Sequence, residues 1–77
     1  MNSVKFKTLD VRPMLAKGVE PFAEIRKRVD ALAPGAGLTV VAPFMPAPLI
    51  EKLQSEGFSS RVERHTDGAW AAFFWRE

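Results

Sequence analysis

The sequence predicts a two-layer α/β (α+β) sandwich, a four-stranded mixed sheet with two helices on one face. Three observations carry this. Four segments have the period-2 alternation or the short β-branched run of strands, and two have the three-and-four spacing of amphipathic helices. Their order is strand, helix, strand, helix, strand, strand. Gly and Pro fall between the segments or in the first turn of a helix.

Val4–Leu9 alternates as Val4, Phe6, Thr8 against Lys5, Lys7, Leu9, the pattern of a half-buried strand. Asp10-Val11-Arg12-Pro13 breaks it, and a loop is expected through Gly18. The first helix should open near Glu20-Pro21, since proline at a helix start removes an amide that would be unpaired anyway. Phe22, Ile25, Val29 and Leu32 form its apolar stripe, Glu24–Arg28 and Arg26–Asp30 fall at the i,i+4 spacing, and Pro34-Gly35 stops it.

Leu38–Ala42 reads as a strand near the sheet centre. Pro43 to Pro48 is a proline-stiffened connection. The second helix runs from about Pro46 to Glu56, with Leu49, Ile50 and Leu53 inward. Gly57 is placed as its left-handed cap and Phe58 as the accompanying apolar contact. Ser59–His65 alternates again, Thr66-Asp67-Gly68 is a turn, and Ala69–Arg76 is the last strand. Two right-handed crossovers would put both helices on one face. The whole chain, 1–77, reads as one domain without repeats or linkers.

Composition excludes whole classes of chemistry. There is no cysteine, so thiolate metal sites, disulfides and cysteine nucleophiles are impossible within these residues. No apolar stretch approaches the roughly 20 residues of a membrane span, and no signal peptide is apparent, so a cytoplasmic setting is expected. The net charge is only +2, with Lys5/Lys7 and Arg26-Lys27-Arg28 the densest basic groups. A solvated helix face accounts for the second group, and nucleic acid is not the expected partner. His65 is the only histidine and with Asp67 makes at most a pair of metal ligands, so no metal site and no cofactor is expected. No catalytic constellation is visible.

Two candidate sites remain. In the last strand Trp70, Ala72 and Phe74 point one way and Ala69, Ala71, Phe73 and Trp75 the other. Helices cover one face only, so a large aromatic is left on the open face whichever way the strand lies. Phe73, Trp75 and Trp70 are therefore candidate interface residues for a homodimer or a partner. Two other readings stand beside this: a harmless tryptophan at a sheet edge, and base stacking beside Arg61 and Arg64. The second candidate is a ligand or anion site. Gly18 beside the first helix would offer bare amides, Arg12 and Lys17 charge, and Phe44 and Met45 a wall at the end of the second strand. The competing readings are an Arg12 pairing with Asp10 or Glu20, and a packed loop at Phe44.

Leu9-Asp10-Val11-Arg12, the helix end Asp30-Ala31-Leu32-Ala33-Pro34-Gly35, then Pro46-Ala47-Pro48-Leu49, Gly57-Phe58 and a closing aromatic strand follow one another along the chain. In that order and spacing, over residues 8–76, the chain resembles a small bacterial domain family of unknown function. That family is related to the TusA/SirA-like sulfur carriers and is often found beside or fused to hemerythrin-like domains. The resemblance implies the same sandwich and a redox or hemerythrin-like protein as partner. It does not imply sulfur transfer, because Gly18-Val19 stands where the carriers have Cys-Pro. Many members carry Asn-Asp-His-Asp before the second helix; here the segment reads Ala42-Pro43-Phe44-Met45, so its polar roles do not carry over.

Overall fold

The computed structural model describes residues 4–65 and 67–76. Strands β1 (Lys5–Asp10), β2 (Ala36–Ala42), β3 (Ser59–Arg64) and β4 (Trp70–Trp75) form one sheet, in the order β1-β2-β4-β3. β1 pairs with β2 in parallel, and β4 runs antiparallel to both its neighbours. Helices α2 (Phe22–Asp30) and α3 (Ala47–Ser55) pack on one face, giving the expected two-layer sandwich.

Packing decides which face they take. Leu9 of β1, Leu38, Val40 and Ala42 of β2, and Ala72 and Phe74 of β4 meet Ile25, Val29, Ile50 and Leu53 of the helices. Phe74 and Leu38 are among the largest fully buried side chains, each worth about 1.5–3 kcal/mol. The last strand therefore turns Ala72 and Phe74 to the helices, and Phe73 and Trp75 to the open face.

Three expectations are corrected. A third helix, α1 (Arg12–Ala16), replaces the loop expected after Asp10. Pro13 does not prevent it, because in the first turn its missing amide costs nothing. The Asp10 carboxylate accepts the Arg12 amide at 3.0 Å just before that turn. Secondly, α2 ends at Asp30, before Pro34-Gly35, and those two residues form a separate turn in which the Ala36 amide reaches the Ala33 carbonyl at 3.0 Å. Thirdly, Phe22 is exposed rather than buried with Ile25 and Val29, because it begins the helix at the sheet's end.

The cap at the end of α3 forms as expected. Gly57 takes φ +94°, its amide donates to the Gln54 carbonyl, and the Phe58 amide donates to the Leu53 carbonyl. This is a Schellman motif, and Phe58 and Leu53 both join the core. Arg26 pairs with Asp30 as the spacing predicts, and also reaches Glu56 at 2.8 Å, tying α2 to the end of α3. In the β3–β4 connection Gly68 donates to the His65 carbonyl, and Thr66 of the expected turn lies outside the described residues.

The open face is closed in part by a residue from the other edge of the sheet. Phe6 of β1 registers with Gly37 of β2, and its ring meets Phe73 at 5.4 Å and Trp75 at 6.0 Å, both edge-to-face. A Cβ on Gly37 would lie 2.5 Å from the Phe6 ring and 2.8 Å from the Phe74 carbonyl oxygen. Gly37→Ala should therefore destabilise the fold by about 1–3 kcal/mol in urea unfolding. Adding Phe6→Ala should recover none of the part set by the backbone oxygen, since that atom cannot move aside.

Candidate functional site

The C-terminal end of β2 opens into an apolar cleft of about 370 Å³. Val40 and Ala42 form its floor, Val11 and Leu15 one wall, and Pro21, Phe22 and Ile25 at the start of α2 another. Phe44, Pro46, Pro48 and Leu49 close the third side, with Glu20 and Lys52 at the polar margin. Phe44 is 53% exposed although it lines the cleft. Among the described residues the large apolar side chains left most exposed are Phe6, Val19, Phe22, Phe44 and Met45, and all but Phe6 belong to the segments around this cleft.

Helix starts surround the cleft, yet they offer few amides. Pro21, Pro46 and Pro48 have no N–H to give. The Phe22 amide donates to the Glu20 carboxylate at 3.0 Å, and the Ala47 amide to the Met45 carbonyl at 2.9 Å. This end of the sheet is thus poor in the donors that make helix N-termini attractive to anions.

Of the residues expected at a ligand site, Phe44 lines the cleft, whereas Met45 lies in the same loop, exposed, and does not line it. Lys17 and Gly18 lie elsewhere, because they close α1 rather than open α2. Gly18 takes φ +74°, its amide donates to Leu15 and the Val19 amide donates to Met14, a second Schellman motif. Its amide is consumed inside the fold.

Arg12 is consumed as well. Its guanidinium grips the Asp10 carboxylate at 2.8 Å and reaches Asp67 of the β3–β4 connection at 3.5 Å. Glu20 takes no part. Asp67 also accepts the Ala69 amide at 3.0 Å. Arg12 thereby ties the start of α1 to a hairpin on the far side of β2. The Arg12 hydrogen bonds hold the Asp10 carboxyl below its ordinary pKa, and the Ala69 amide chiefly does the same for Asp67. Among the described residues no three His, Cys, Asp or Glu side chains converge as metal ligands.

The interface candidates fall on two faces. Phe73 and Trp75 share the open face with Phe6, and Arg61 lies over Phe73 at 4.9 Å. Trp70 registers between Ala42 and Arg64 on the helix side, with the Arg64 guanidinium 5.6 Å over its ring. Sequence reasoning missed Phe6 and Phe22. The pairing of β1 with Gly37 at the register of Phe6 could not be read from local pattern, and Phe22 matched the buried stripe of α2. No helix among the described residues is long and apolar enough to cross a membrane.

These features define a small two-layer α/β domain with an apolar cleft at one end of its sheet and an aromatic cluster on its open face. Residues 8–76 match the family described as Uncharacterized conserved protein (DUF2249), and the chain belongs to that family. No curated protein and no solved structure matches it.

A folded-state pKa below the unfolded one stabilises the native state above the ordinary carboxylate range, and that stability is lost as pH falls through the lowered value. The urea midpoint of the wild type should therefore drop below about pH 4. In Asp10→Asn the midpoint should start lower at neutral pH and fall less steeply on acidification.

Proposed function

We propose that this domain acts by binding rather than catalysis, and that the cleft takes an uncharged apolar ligand, a flat ring or short aliphatic chain. The observation that carries this reading is the pairing of exposed Phe22 and Phe44 with proline walls that hold no amide donors. The volume, about 370 Å³, falls at the lower end of small-molecule sites, which are apolar with few polar groups. An anion is disfavoured, because Arg12 is paired with Asp10 and the Gly18 amide is used within α1. Kinship with the sulfur carriers belongs to this proposal. The element order and the Glu20-Pro21 helix start support it, and without cysteine the kinship is one of scaffold rather than of chemistry.

Indole serves as an uncharged probe. Titrated against labelled protein, it should shift the amides of Val11, Ala42, Phe44 and Leu49 saturably. Phe44→Ser should weaken the binding at a stability cost below about 0.5 kcal/mol, since this side chain is exposed. Arg12→Ala should leave it unchanged. Loss of binding in Arg12→Ala, or competition by acetate, would overturn the reading.

The aromatic cluster of Phe6, Phe73 and Trp75 favours a second reading, in which the open face docks another copy of the chain. A redox or hemerythrin-like partner goes with this reading through the family resemblance, and a cytoplasmic setting through the sequence expectation. Sedimentation equilibrium should then give a dimer for the wild type and a monomer for Trp75→Glu. A wild-type monomer would remove self-association.

A further inference from the structure

The opposite end of the sheet carries a groove of different character. It lies between the start of β1 and the C-terminal end of α2, with a volume of about 510 Å³. Leu32, Leu38 and Pro34 give it an apolar floor, and Lys5, Lys7 and Arg28 bring three cations to it. No Asp or Glu lines it. Arg28 is held at 2.9 Å by Glu24, but Lys5 and Lys7 have no anionic partner among the described residues. Elsewhere Arg12, Arg26 and Arg61 are matched by carboxylates; among the described residues Lys17, Lys27, Arg64 and Arg76 are not, but none of those four lines this groove.

Two ordinary roles account for part of this arrangement. A cation in the last turn of a helix complements the helix dipole, which covers Arg28. Lysines on an edge strand discourage pairing with other chains, which covers Lys5 and Lys7 one by one. Neither role calls for an apolar floor beneath the charges. Lys5 and Lys7 lie two residues apart on one strand face, roughly 6.6 Å along it, so their flexible ammonium groups can close on one head group.

We propose that this groove binds a small amphiphilic carboxylate, its chain on Leu32 and Pro34 and its head between Lys5 and Lys7. The site is separate from the cleft at Phe44, and either stands without the other. The head group gains charge-assisted hydrogen bonds from ammonium groups that have no anionic partner to give up among the described residues. The chain removes apolar surface from water, so affinity should require both halves of the ligand.

Octanoate and 1-octanol provide the test, followed by amide chemical shifts of labelled protein. Octanoate should shift residues 5–7 and 32–36 saturably, and 1-octanol should not. Lys5→Glu with Lys7→Glu should weaken octanoate at least about tenfold, the worth of two surface charge pairs. The milder Lys5→Gln with Lys7→Gln pair reports the same loss if charge reversal perturbs folding. Equal binding of 1-octanol in the groove, undiminished octanoate binding in the glutamine pair, or octanoate shifts confined to Ala42, Phe44 and Leu49 would each overturn the proposal.

Discussion

A sheet covered on one side only must do something with a strand that is apolar on both. β4 poses that problem at the centre of this fold: Ala72 and Phe74 fill the core, and Phe73 and Trp75 are left facing away from both helices. The molecule meets it by leaving out a side chain. Gly37 on β2 clears the space between the edge strand and β4, and Phe6 crosses it to reach both rings edge-on. The cluster thus depends on a close approach that any Cβ would obstruct, and the register of β1 against β2 depends on it in turn. The same arrangement leaves Phe6 itself 38% exposed, so the open face is partly closed and still apolar.

At the C-terminal end of β2 a different economy operates. Polar groups that could serve a ligand are used to hold the connections in place. Asp10, Arg12 and Asp67 tie α1 to the β3–β4 hairpin, the Gly18 and Val19 amides close α1, and Glu20 occupies the first amide of α2. Prolines take the remaining places at the helix starts. What is left to face solvent there is carbon. The two ends of the sheet therefore differ in kind: an apolar cleft with its charges spent at one, and a groove with unspent lysines at the other.

Much of the fold was legible because its signals are local. Gly57 followed by Phe58 marks a Schellman cap through the sterics of one residue and the hydrophobicity of the next. Val40 with its β-branched neighbours marks a central strand, and Glu24–Arg28 needs only the pitch of a helix. α1 was not legible, since Pro13 after Asp10 is as compatible with a loop as with a first turn. The carboxylate that tips the balance acts through a hydrogen bond that the sequence does not reveal. Gly18 was legible as a special residue, but its neighbour was not. It closes the helix before it rather than opening the one after it.

By itself the sequence determined the order of the four strands and the two packing helices, the helix face turned inward at Ile25 and Val29, and the impossibility of thiol chemistry within these residues. Each of these rests on residue type or on spacing along a few turns of chain. Tertiary structure alone decided that Phe73 and Trp75 rather than Trp70 and Phe74 face outward, that Phe6 crosses β2 to reach them, and that Lys5 and Lys7 meet Arg28 across a groove. These outcomes depend on strand order and register, which are set by how whole faces fit together, and no window of the sequence contains both partners.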